Sequence, residues 1–248
     1  TYAGSINPGN PSRPEKPRTV QCIYWCVVDW PGWLLQRSGV WPVFGFLRDS
    51  VIAKVAGGLG HVMALILKTM FLPGAGPSFQ TGFVLPDSAG TGHMVTGVFP
   101  GFLTDLAAHK ELFQVKGTSG VKCCLNCGNV VKSRMVESAD ATVVGLGCAD
   151  RSKFQRYDGD DFYFIVDELE RVSGTIAPSR FAKLETALGV NHVPDGLLAN
   201  RSIRCILKPS QHCIRDWMHT YVGDGVVNSE MGMLINEMAR FGFTRGHV

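Results

Sequence analysis

The sequence predicts an α/β fold: a mixed sheet with flanking helices and a cysteine-rich insertion. Three observations carry that prediction. The run VQCIYWCVV at 20–28 is β-branched and aromatic, the composition of a strand buried on both faces. Gly57 and Gly58 precede a stretch, 59–71, whose apolar residues Val62, Leu65, Ile66 and Met70 fall on one helical stripe. A further apolar run, 94–103, leads into an acid, Asp105.

The other elements follow in chain order. Residues 2–6 fit a first strand. Pro8, Pro11, Pro14 and Pro17 make 7–18 an extended connector, because proline fixes φ and removes a backbone donor. Residues 41–46 read as a short strand. Pro73, Gly74 and Gly76 stop the helix of 59–71. Another strand is expected at 82–85, and a helix at 106–113. Residues 116–131 form a turn rich in glycine and cysteine, and 136–156 carry no pattern and read as loop.

An amphipathic helix is expected over 160–172. Phe164, Ile165, Leu169 and Val172 lie on one side, and Asp167, Glu168 and Glu170 make a solvated face. Pro178 stands near the start of a helix over 179–188. A short strand is expected at 203–207. A last helix, 225–241, is lined by Val226, Met233, Leu234 and Met238. The order strand, strand, strand, helix, strand, then an acid, matches the front half of a ribonuclease-H-like fold. Residues 1–135 would form that half with the cysteine turn. Residues 136–248 would form a helical insertion and the segment that continues the core.

Composition bounds the function. Apolar residues make up 45% of 248, enough to bury a core. The net charge of +3 gives no broad nucleic-acid footprint, so any such surface is a local patch. No charged-then-apolar leader follows Thr1, and the apolar run 62–72 is broken by Lys68 and too short to span a bilayer. These features predict an intracellular chain with no membrane partner. A chain of this size does not need its cysteines as disulfides, so a reducing compartment with one metal-type cluster is expected.

Four constellations bear on chemistry. Cys124-Leu-Asn-Cys127 follows Lys116-Gly-Thr-Ser-Gly120, and its spacing puts two thiolates on one side of a turn, as tetrahedral Zn²⁺ requires. Ordinary thiols or a redox pair are the alternatives. Asp216-Trp-Met-His219 puts an acid and an imidazole at i and i+3, able to complete that site, or else to cap a helix and fill a core. Asp105 ends a strand, where two-metal nucleases hold carboxylates, or caps the next helix. Asp158-Gly-Asp160-Asp161 lacks the ligand series of a calcium loop and reads as a turn and helix start. His61, His93 and His109 show no evident partner.

The segments INPGNPSRPEKPRTVQCIYW, VAGGLGHV, FLTDLAAHKELFQVKGTSGVKCCLNCGNVV and CIRDWMHTYVGDGVVNSEM occur in that order. Together they resemble transposase-like proteins of the CACTA and Kyakuja–Dileera–Zisupton groups. The resemblance covers most of the chain, with weak similarity over 137–156. It implies a ribonuclease-H-like core in which three acids hold two Mg²⁺ ions, with DNA as partner and oligomeric assembly. In a eukaryote it implies a nuclear location. Asp105 then matches the second acid. Cys124, Cys127, Asp216 and His219 match the family's cysteine pair and D-x-x-H signature, a structural zinc site.

The sequence departs from that pattern in two places. Gly4 and Ser5 stand where the family carries an Asp-Glu pair, and neither replaces a carboxylate on a dication. No spacing picks Glu230 or Glu237 as the third acid, so the core is expected to be incomplete. The expectation is a transposon-derived fragment with little nuclease activity. The alternative is a non-catalytic, zinc-stabilised DNA-binding or protein-interaction module. There, Arg13, Lys16, Arg18, Lys116, Lys122, Lys132 and Arg134 would touch phosphates.

Overall fold

A computed structural model describes residues 2–6, 20–74, 76–132, 143–146, 148, 150–215 and 226–240. Three strands open the chain: β1 (Tyr2–Ile6), β2 (Val20–Tyr24) and β3 (Val43–Arg48). Short helix α1 (Gly32–Leu35) lies between β2 and β3, and α2 (Asp49–Ile52) follows β3 directly. Helix α3 (Gly58–Phe71) leads to a hairpin, β4 (Phe83–Pro86) and β5 (Gly92–Val95). Strand β6 (Phe102–Thr104) runs into α4 (Leu106–Phe113). Between α4 and the segment that enters the last strand come β7 (Val130–Val131), β8 (Val144–Gly145), α5 (Asp161–Val172) and α6 (Pro178–Leu188), an insertion in the sheet's crossover. A short α7 (Pro209–His212), β9 (Cys213–Arg215) and α8 (Val226–Arg240) complete it.

The fold is mixed α/β, as the sequence predicts. Its main sheet has the order β3-β2-β1-β6-β9. The pairs β1/β2 and β2/β3 are antiparallel, whereas β1/β6 and β6/β9 are parallel. Parallel neighbours need a crossover between them, and α4 with the insertion supplies the one from β6 to β9. Gln21, Cys22 and Ile23 are buried in succession, so β2 is covered on both faces as its unbroken apolar run implies. The edge strand β3 instead exposes Val43, Phe44 and Phe46.

The core faces of the helices differ from the expected ones. In α3 the buried residues are Leu59, Gly60, Met63, Ala64, Leu67 and Phe71. Val62, Ile66 and Met70 flank them, and Leu65 is exposed. This helix is apolar on most of its circumference, so its periodicity fits two overlapping stripes, and packing selects the one centred on Met63. Gly60 decides the approach: a Cβ there would stand 2.9 Å from the Leu197 amide nitrogen and 3.3 Å from the Leu112 carbonyl oxygen. In α5 the buried set is Phe162, Tyr163, Ile165, Val166 and Leu169, while Phe164 points outward.

Two expected strands are corrected. The run 94–103 splits, because β5 pairs with β4 and the chain then bends before β6. Pro100 offers no ladder donor. Gly101 has φ +145, and a Cβ there would stand 2.7 Å from the His212 carbonyl oxygen. Residues 203–207 are not a strand. Arg201–Ile203 is a 3₁₀ turn, the Leu207 N–H donates to the Ile203 carbonyl at 2.8 Å, and both side chains are fully buried.

The acidic side of α5 is paired rather than merely solvated. The Arg204 Nη1 donates to Asp167 at 2.7 Å, Arg201 to Glu170 at 3.1 Å and Arg171 to Glu168 at 2.6 Å. Arg204 also lies 4.6 Å from the Tyr163 ring centroid, and the Tyr163 hydroxyl donates to the Leu207 carbonyl at 2.7 Å. These contacts fasten the insertion to the segment that returns to β9. No helix among the described residues is long and apolar enough to cross a membrane.

Glycine to alanine inside a helix ordinarily stabilises by about 1 kcal/mol. Gly60→Ala should reverse that sign and cost about 1–3 kcal/mol through overpacking. Denaturant unfolding of both proteins measures the difference; a more stable variant would refute the close contact with Leu197.

Candidate functional site

Asp105 takes the capping role, the second of its two expected readings. It stands immediately after β6, between strands β1 and β9 of the main sheet, and it is also the N-cap of α4. Its Oδ1 accepts from the Ala108 N–H at 2.7 Å, satisfying one of the free donors of the first helical turn. Among the described residues the second carboxylate oxygen has no hydrogen-bond partner.

The register fixes what lies beside it. Ala3 pairs with Thr104 on one side, and Thr104 with Arg215 on the other. Continued one step past its last pair, the register sets Gly4 level with Asp105. Of the two residues in the expected first-acid position, the register therefore selects Gly4, not Ser5. Asp216 and His219, the residues expected to complete a metal site, lie outside the described residues.

Two acids that sequence reasoning passed over gather at the same end of the sheet. Asp49 follows β3, which runs parallel to β1 through two antiparallel pairings. The Gln21 Nε2 donates to its carboxylate at 3.1 Å. Glu111, on α4, has its carboxyl raised above the usual range by burial and then by the Asp49 charge. The signal for Asp49 was the same as for Asp105, an acid closing an apolar strand. Glu111 had none. Among the described residues, no three His, Cys, Asp or Glu side chains stand close enough to hold a metal ion.

The cysteine turn is built by its neighbours. The Gly128 N–H donates to the Gln155 carbonyl at 3.0 Å, and the Tyr157 N–H to the Asn126 carbonyl at 2.9 Å. The Asn126 side chain donates to the Ser210 carbonyl at 3.0 Å, tying the turn to the segment that enters β9. A Cβ at Gly128 would stand 2.9 Å from the Tyr157 ring. Burial pushes the Tyr157 phenol up to about 12, with Cys124, Asp161 and Cys127 adding to the shift. Both cysteines thus act on the same phenol, and neither is in a disulfide. That arrangement fits half of a four-coordinate zinc site.

Lys116-Gly-Thr-Ser-Gly120 forms a 3₁₀ turn over Gly117–Ser119. Lys116 lies 3.8 Å from Glu185, and its N–H donates to the Gly189 carbonyl at 2.8 Å. This holds the cysteine turn to the end of α6. Of the other basic residues considered for phosphate contact, Lys132 is exposed and Lys122 half-buried, and Arg13, Lys16, Arg18 and Arg134 lie outside the described residues.

Every histidine left without a partner in the sequence acquires one. His109 Nε2 is 3.3 Å from Cys213 Sγ, both side chains being buried between α4 and β9. His109 lies one turn beyond Asp105 on α4, a spacing that puts it over the sheet. His61 Nδ1 is 3.1 Å from the Asp195 carbonyl oxygen, and His93 Nε2 is 3.0 Å from Asp87. Asp158-Gly-Asp160-Asp161 is the expected turn and helix start: Asp161 accepts from the Asp158 N–H at 2.7 Å and Asp160 pairs with Lys208.

The capping role of Asp105 separates from any metal role by substitution. Asp105→Ala should lose about 1 kcal/mol of stability, while Asp105→Asn, which keeps a capping oxygen, should lose at most a few tenths. Thermal or denaturant unfolding reads both; equal losses would refute the cap. No protein-family model, no curated protein and no solved structure matches the chain.

Proposed function

We propose that this chain is a transposase-derived domain, related to metal-dependent DNA cleavage and strand transfer and inactive as it stands. The sheet carries the reading. Three antiparallel strands, a helix and, after the β4/β5 hairpin, a strand parallel to the first that ends on an acid support the front half of a ribonuclease-H-like core. Two-metal phosphoryl transfer needs carboxylates on adjoining strands, so that one ion activates the attacking oxygen and the other steadies the leaving one. Asp105 supplies one carboxylate. The position beside it is Gly4, which supplies none, so the described residues do not fit a pair of Mg²⁺ ions.

A nicking assay tests this. Plasmid DNA incubated with the protein and Mg²⁺ or Mn²⁺ should stay supercoiled. Nicking that disappears in Asp105→Asn would overturn the claim of inactivity. Gly4→Asp should create measurable Mn²⁺ binding by placing a second carboxylate beside Asp105, and unchanged binding would count against the register argument.

A second reading, a non-catalytic zinc-stabilised module that binds DNA or protein, draws on the cysteine turn. The Asn126 bond to Ser210 sets Cys124 and Cys127 against the segment that leads to Asp216 and His219. Those four residues would hold a structural zinc. Stoichiometric zinc should copurify, fall in Cys124→Ser and His219→Ala, and take stability with it when chelated. A fully stable, metal-free chain would end this reading.

A further inference from the structure

We infer that the cleft at the start of α3 binds a phosphate group. It is an open cleft of about 310 Å³, within the size range of small-ligand sites. Three donor groups line it: the α3 terminus at Leu59, Gln114 and Lys110.

The first donor is the helix terminus. Gly57, the N-cap of α3, is left-handed and gives no side-chain cap. The Gly58 N–H is taken by the Val55 carbonyl at 2.9 Å and the His61 N–H by the Gly57 carbonyl at 3.2 Å. The N–H groups of Leu59 and Gly60 have no partner among the described residues, and Leu59 lines the cleft. Such a terminus carries partial positive charge.

The second donor is Gln114, and it makes the terminus more than a bare helix end. Its side chain lines the cleft, is 8% exposed, and has no hydrogen-bond partner among the described residues. The residue is held in the left-handed region at φ 55. Its carbonyl accepts from the Asn191 N–H at 2.8 Å, and its amide fills the space that a Cβ on Gly196 would occupy. The amide therefore stands at the cleft with no protein partner among the described residues, and a ligand oxygen there could accept from it.

The third donor is Lys110. Its stem lies on Gly117, where a Cβ would stand 2.5 Å from Cε and 3.5 Å from Nζ. The glycine of the Lys116-Gly-Thr-Ser turn therefore seats this lysine, which forms no ion pair among the described residues. Glu111 lines the same cleft and opposes an anion. The phosphate oxygens must therefore sit on the side of Leu59, Lys110 and Gln114. A singly charged phosphodiester suffers less from Glu111 than a phosphate dianion.

The assignment does not depend on the nuclease reading. Inorganic phosphate and a short single-stranded oligonucleotide are titrated separately into the isotopically labelled chain, following the Leu59 and Gly60 amide resonances. Saturable shifts with either probe are expected. They should weaken by about tenfold or more, roughly the loss of one charge-assisted contact, in Lys110→Ala and in Gln114→Leu, and stay unchanged in Lys153→Ala. A response to the oligonucleotide alone places the phosphate on a nucleic-acid backbone; a response to inorganic phosphate alone makes it a free phosphate or phosphomonoester. Should neither probe move these resonances, or should Lys110→Ala bind as well as wild type, the proposal falls. Lys110 is partly exposed and its variant should fold, so the test stands even if Gln114→Leu does not.

Discussion

The pairing of β6 between two parallel neighbours is the constraint on which the rest depends. The strand is only Phe102–Thr104, yet it joins the antiparallel half of the sheet, through β1, to β9 on the far side. Phe102 and Thr104 are fully buried, and burying the phenylalanine alone contributes about 1.5–3 kcal/mol. Gly101 lets the chain enter beside the His212 carbonyl. Asp105 turns the strand end into a helix start, so α4 leaves the sheet at a fixed place. His109 then meets Cys213, the Leu112 carbonyl meets α3 at Gly60, and Phe113 packs on Phe102.

The second junction is made by glycines. A side chain at Gly57 would run into the Asp195 backbone, one at Gly60 into Leu197, and one at Gly196 into Gln114. The start of α3, the end of α4 and the loop after α6 therefore touch backbone to backbone. This contact returns the insertion to the core, and the same hydrophobic cluster runs from Ile23 through Leu169 to Leu207. The left-handed Gln114 and the uncapped α3 terminus both lie at that close approach. The candidate phosphate cleft is thus a by-product of how two segments distant in sequence are made to meet.

Local signals were legible and non-local ones were not. Helices α4, α5 and α6 sit within a residue of their expected bounds, because capping residues, Pro178 and amphipathic spacing are local features. The face of α3 was misread because its apolar residues nearly encircle it, and only the partner surface chooses among them. The run 94–103 looks like one strand because its break depends on Gly101 meeting a carbonyl from residue 212. The ion pairs of α5 with Arg201 and Arg204 span more than thirty positions, and the His109–Cys213 contact spans 104. Asp105 could be found from the sequence since an acid after an apolar run is visible. That Gly4 rather than Ser5 stands beside it is a statement of register, which no single strand contains.

The register also makes physical sense of an acid retained next to a glycine. In the proposed reading, an ancestral site held carboxylates at both positions, each screened from the other by a bound dication. Without the ions, two carboxylates on neighbouring strands repel, and one of them must take up a proton or the sheet must loosen. A glycine at position 4 removes that repulsion. Asp105 has a second task that owes nothing to metal, the capping of α4, and removing it would uncover a helix terminus beside the fully buried Thr104. In that reading the two positions are unequal: a carboxylate at position 4 would be a liability to the sheet, whereas Asp105 is part of what holds it.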